Sequence, residues 1–178
     1  MEPVLVGEVP AGAPTADLYV LVEQSGAPFL RVDLYLEYGL GTFSDFRVWG
    51  DYLLLGYAED FDAVHLRTRE VKILEVPFYF GSFSTPAEHG RDWGDDILIA
   101  ASGTHLYRIS PTMEVVWEIE HIAVDGIVVD DIDEEIVRIS AEQDPPGDWV
   151  DYLVDLRVGE WRPAIPRYPL SRPKKAEE

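Results

Sequence analysis

Trp49-Gly50-Asp51-Tyr52-Leu53-Leu54-Leu55-Gly56 is answered 44 residues later by Trp93-Gly94-Asp95-Asp96-Ile97-Leu98-Ile99-Ala100. Glu70-Val71 and Glu114-Val115 keep the same offset. At an offset of 90, about twice the period, His65-Leu66-Arg67-Thr68-Arg69-Glu70-Val71 is echoed by Asp155-Leu156-Arg157-Val158-Gly159-Glu160-Trp161. Asp125-Gly126-Ile127-Val128-Val129 resembles the Asp-Asp-Ile-Leu-Ile of the second unit, but out of phase. Self-similarity at a fixed period marks a chain assembled from one repeated supersecondary unit.

Within each unit, short apolar runs alternate with turn residues. Strands are expected near 18–23, 29–36, 46–49, 52–57, 63–67, 71–76, 97–101, 105–109, 114–119, 126–130, 136–141 and 151–156. These runs are rich in Val, Ile, Leu, Tyr and Trp, which suit a pleated, half-buried surface. Between them stand Ser25-Gly26-Ala27-Pro28, Gly50-Asp51, Ser102-Gly103-Thr104 and Ser110-Pro111-Thr112, all with turn chemistry. No window sustains a capped helical period, and a single helical turn near Thr85–His89 is the only one expected.

A 44-residue unit of three or four strands has the size of a β-propeller blade. Residues 46–161 resemble generic propeller repeats, in which a "v-d-l-x-t-G-x-v" turn closes the hairpin. Asp155-Leu156-Arg157-Val158-Gly159-Glu160-Trp161 follows that pattern with Val158 in place of Thr. The expected fold class is therefore all-β: antiparallel meanders with a 44-residue repeat, forming a partial or very small propeller or a β-sandwich. Residues 1–161 are expected to form one domain, followed by a Pro-rich basic tail over 162–178. An open stack would expose sheet edges that invite self-association.

Ile122-Ala123-Val124-Asp125-Gly126-Ile127 and Asp144-Pro145-Pro146-Gly147-Asp148-Trp149 also resemble small uncharacterised bacterial proteins with a "V-D-G … D-P-P-G-x-W … d-l-x-x-G" pattern. That resemblance implies similar β repeats and brings no activity with it.

Composition narrows the functional classes. The chain has 178 residues, no cysteine and a net charge of −20. Disulfides and thiolate metal sites are excluded, and a reducing, cytoplasmic location is the expectation. Nucleic acid and anionic membranes should be repelled. No apolar stretch approaches the ~20 residues of a membrane span. From Glu114 to Glu160, 15 acidic residues face two basic ones, Arg138 and Arg157. This segment is either a solvated acidic surface or a face for a basic partner.

Three departures from the repeat are the candidate partner-binding regions. The Asp144–Trp149 loop either presents Asp144, Asp148 and Trp149 to a partner or is a hairpin connection with Trp149 inside. The run Asp130, Asp131, Asp133, Glu134 and Glu135 lacks the spacing of a calcium loop. It is read as a hairpin turn, solvated or in contact with a partner. Residues 77–94 form a long connection whose Phe78, Tyr79, Phe80 and Phe83 make either an aromatic patch for a partner or a strand and covering flap over one end of the sheet. Recurrence at the repeat period makes Trp49 and Trp93 core residues.

No catalytic residue, metal site or cofactor is expected. The four histidines, His65, His89, His105 and His121, lack a recognised metal spacing. No nucleophile elbow, phosphate loop or dinucleotide fingerprint is present. The expected function is a non-enzymatic protein-binding domain, in its specific form an immunity-type inhibitor of a cognate basic bacterial toxin. The alternatives are a small-molecule or carbohydrate-binding or -processing β protein and a self-associating structural subunit.

Overall fold

The computed structural model describes residues 1–12, 15–37, 39–75 and 77–164. The first sheet contains β1 (Val4–Gly7), β2 (Leu18–Gln24) and β3 (Ala27–Tyr35) in the order β1-β3-β2, with β1 parallel to β3. The second is the antiparallel meander β4 (Ser44–Trp49), β5 (Tyr52–Tyr57), β6 (Asp60–His65) and β7 (Val71–Glu75). The third repeats that order with β8 (Phe80–Ser84), β9 (Leu98–Ser102), β10 (Leu106–Ile109) and β11 (Val115–Ile119). The fourth holds β12 (Ile127–Ile132), β13 (Ile136–Asp144), β14 (Asp148–Asp155) and β15 (Trp161–Pro163). A one-turn 3-10 helix, Pro86–His89, follows β8. The fold is all-β, in four separate sheets with no closed barrel.

The repeat acts through a turn used more than once. In the second sheet, His65 N–H donates to the Glu70 carbonyl and Arg69 N–H to the His65 carbonyl. In the fourth, Asp155 N–H donates to Glu160 and Gly159 N–H to Asp155 in the same way. The side chain at the first position completes each turn. His65 Nδ1 accepts from the N–H groups of Arg67 and Thr68, and Asp155 Oδ1 from those of Arg157 and Val158. The fifth residue is left-handed in both, with φ +64° at Arg69 and +74° at Gly159. Glycine takes this conformation without strain, whereas arginine does not.

Each sheet buries one face against the next. Leu30, Val32 and Leu34 of β3 pack on Leu53, Leu55 and Val64 of the second sheet. The opposite face of that sheet, with Leu54, Phe61 and Ala63, packs on Phe80, Phe83, Leu98 and Ala100 of the third. Ile99, Ala101 and Leu106 then meet Ile127, Ile132, Val137 and Ile139 of the fourth. Alternate residues of one strand thus serve two different cores, as the pleat requires. Among the described residues, no cluster joins the fourth sheet to the first. Trp49 is buried in the core between the second and third sheets, and Trp93 packs on the core between the third and fourth.

β8 is the strand of the strand-and-flap alternative for 77–94, and two strands lie where none is expected from sequence: β1 and β15. The last extends the domain past the expected boundary at 161, to include Arg162 and Pro163. The remainder of the expected basic tail, 165–178, lies outside the described residues. Among the described residues, no helix is long and apolar enough to cross a membrane.

Candidate functional site

Among the described residues, the fourth sheet buries only one of its faces. Val137, Ile139 and Ala141 of β13 point into the core, so Arg138 and Ser140 point away from it. Ser140 stands beside Val128 on one side and Asp151 on the other. Its hydroxyl lies 2.8 Å from Asp130 Oδ2 and 3.0 Å from Asp151 Oδ1. One hydroxyl carries one proton, so it serves the two carboxylates in turn and holds them apart on one surface. A depression of about 320 Å³ here is lined by Asp130, Arg138, Ser140, Asp151 and Leu153. Over residues 127–163, eleven acidic side chains face Arg138, Arg157 and Arg162, a balance of −8.

Seven of the ten residues expected to bind a partner belong to this sheet. Asp130 is on the outer face just described. Asp131 forms an ion pair with Arg91 at 3.2 Å, tying the sheet to the loop after the 3-10 helix. Asp133 Oδ1 accepts the N–H groups of Glu135 and Ile136, so this carboxylate builds the hairpin turn from β12 to β13. Glu134 is exposed at its tip. Asp144 and Asp148 are paired across the next hairpin, where Gly147 takes φ +108°. The buried Glu142 carboxylate accepts the Gly147 N–H. Trp149 is 43% exposed and leans over Gly126, where an added Cβ would sit 3.2 Å from the indole. The reading with Trp149 in the core does not hold.

The aromatic patch expected at 77–94 is not formed as such. Phe80 and Phe83 are buried in the core between the second and third sheets, with ring centroids 4.7 Å apart and planes tilted by 56°, and offer nothing to a partner. Glycine and serine between them place both rings inward through a bulge at Phe80–Ser82. Tyr79 is half-buried, stacks on Phe43 at 5.9 Å and donates to Asp125 at 3.0 Å. Burial and that carboxylate push its hydroxyl up to about 12.

A second feature lies between the first two sheets. A cleft of about 720 Å³ is lined by Glu8, Asp17, Glu37, Asp60 and Asp62 together with Tyr35 and Tyr57. No Lys or Arg is among its described lining residues. Asp62 is 3% exposed, and burial pushes its carboxyl up to about 6. Burial also raises Asp60, with Glu59 and Glu37 adding repulsion. None of the tryptophans lines this cleft, so it lacks the stacking platforms a sugar site would use.

Two groupings escape a reading of the sequence. Tyr57 and Asp62 meet only because β5 and β6 pair, and their roles depend on burial that no spacing reports. His105, Glu120 and His121 converge at one end of the third sheet. The signal for this second grouping is hairpin symmetry. His105 and Glu120 are equidistant from the turn at Thr112-Met113, so an antiparallel pairing must bring them together. No family model matches the chain, and no curated protein matches it.

Proposed function

We propose that the chain is a non-enzymatic protein-binding domain whose fourth sheet takes a basic partner. The observation that carries this reading is the outer face of that sheet, where Ser140 spaces Asp130 and Asp151 beside a shallow depression. A hydrogen-bonded sheet surface presents its charged side chains side by side, and their charge speeds encounter with an oppositely charged protein. Trp149, exposed at the neighbouring hairpin, supplies an aromatic anchor of the kind that dominates binding energy. An immunity-type inhibitor of a basic toxin, acting in the cytoplasm, is the form of this function that the charge favours.

The test is affinity capture from the source organism with the native chain and with Asp130→Asn/Asp148→Asn/Asp151→Asn in parallel. A basic protein retained by the native chain should bind the variant at least tenfold more weakly. Raising salt from about 0.05 to about 0.5 M should release it. A partner that is acidic, or that binds native and variant chains equally, would overturn the reading.

The cleft supports a second reading, a small-molecule site. Five carboxylates without a basic residue suit a cationic ligand such as an organic amine. Equilibrium dialysis with spermidine as the probe distinguishes the readings, because Asp60→Asn would weaken it and the fourth-sheet variant would not.

A further inference from the structure

β10 and β11 pair with Leu106 opposite Ile119. His105 precedes the first of these strands and Glu120-His121 follows the second, so all three side chains emerge at the same end of the third sheet. Their donor atoms lie within 4.8 Å of one another. The two imidazole rings are 4.7 Å apart at 67°. We propose that His105, Glu120 and His121 bind a divalent transition-metal cation of the zinc class.

The donor set favours that class. Two imidazoles and one carboxylate are typical borderline ligands for Zn²⁺, Co²⁺ and Ni²⁺. Calcium and magnesium require six or more oxygens, and one glutamate supplies at most two. In a tetrahedral shell, donors about 2.1 Å from the metal are about 3.4 Å from each other. Glu120 and His121 are both exposed, and rotation of their side chains covers the remaining distance. Three protein ligands leave a fourth position for water.

His105 is the fixed member. It is 4% exposed, and its Nδ1 is 2.6 Å from the Thr104 hydroxyl. With Nδ1 held in this way, Nε2 is the nitrogen left for a cation. Such an outer hydrogen bond sets the orientation of ligating histidines generally.

The backbone holds the two segments in place before any ion arrives. Ser102 Oγ accepts the N–H groups of both Thr104 and His105. The Thr104 carbonyl accepts the Ile122 N–H at 3.0 Å, so the residue after His121 is tied to the residue before His105. Gly126 N–H donates to Gly103 at 2.7 Å, closing the loop beyond. His121 itself has φ +54°, an uncommon conformation for a residue with a side chain. The site lies at the end of the third sheet, and none of its three residues lines the depression on the fourth.

The experiment titrates the untagged full chain with Co²⁺ and then Zn²⁺. The visible absorption of tetrahedral Co²⁺ should appear at one equivalent and vanish as Zn²⁺ displaces it. His121→Ala and Glu120→Gln, both at exposed positions, should weaken Zn²⁺ binding at least tenfold while leaving the circular dichroism unchanged. Glu23→Gln, an exposed carboxylate on the first sheet, should bind as the native chain does. Calcium in large excess should not displace the metal. Absence of the Co²⁺ spectrum, native affinity in His121→Ala, or displacement by calcium would each overturn the proposal.

Discussion

The hydroxyl of Tyr57 donates a 2.7 Å hydrogen bond to Oδ2 of Asp62, across the hairpin that joins β5 to β6. This bond favours the ionised carboxylate, but burial outweighs it and holds the Asp62 pKa at about 6, above its ordinary 3.8. The folded protein therefore binds the proton more tightly than the unfolded chain. Stability contributed by this group is fully present below about pH 4 and is lost as pH rises through about 6. The full effect is at most about 3 kcal/mol. Asp62→Asn should stabilise the protein at pH 7.5 by about 1–2 kcal/mol and leave it nearly unchanged at pH 4. Urea midpoints at the two pH values check this, and an equal difference at both would refute it.

At Gly56 the second sheet lies directly against the Phe80 ring of the third. A Cβ placed there would lie 2.2 Å from Cζ of Phe80. Gly56→Ala should destabilise the fold by about 2–3 kcal/mol through overpacking. Phe80→Leu in the same chain should recover part of that loss, because it withdraws the atoms that clash. A double-mutant cycle measured by urea unfolding reads the coupling, and strict additivity would show that the two positions do not meet.

Asp155 builds its turn with one carboxylate oxygen accepting two backbone N–H groups. Asp155→Ala should cost about 1 kcal/mol, comparable to losing a helix cap, and Asp155→Asn should retain most of it. Thermal unfolding of the two variants checks the order. Equal losses would show that charge, not the hydrogen bonds, stabilises the turn.

The Leu156 carbonyl accepts two bonds from the third sheet, from Trp117 Nε1 at 3.0 Å and Arg108 Nη1 at 2.9 Å. Trp117→Phe removes one of them and thins the packing on Gly159, whose Cβ position is 3.0 Å from the indole. The expected loss is about 1–2 kcal/mol. Hydrogen exchange should quicken in β14 and β15 before it does in β5 and β6.

The sequence carries the architecture where repetition has a physical cause. The echo between 65–71 and 155–161 is the same turn entering the last strand of two sheets, so its hydrogen-bonding needs are written into both segments. The out-of-phase echo at 125–129 has its reason as well. It leads into β12, the first strand of its sheet, whereas the segment it resembles leads into β9, a second strand. β8 is legible only as one alternative for 77–94, because Gly81, Ser82 and Ser84 interrupt the apolar alternation and its bulge breaks the period of two. Trp149 and the phenylalanines at 80 and 83 are alike in type but opposite in exposure. Packing decides that difference, and local sequence does not record it. The acidity of the fourth sheet was legible as charge, but the spacing of Asp130 and Asp151 by Ser140 depends on strand pairing.

Because each core joins only neighbouring sheets, cooperativity in this chain is nearest-neighbour. The molecule behaves as a short linear array, with two inner members clamped on both sides and two outer ones clamped on one. Opening is then cheapest at the ends, and the fourth sheet can loosen while the middle pair keeps its form. The terminal member that carries the acidic surface is thereby also one of the most adaptable.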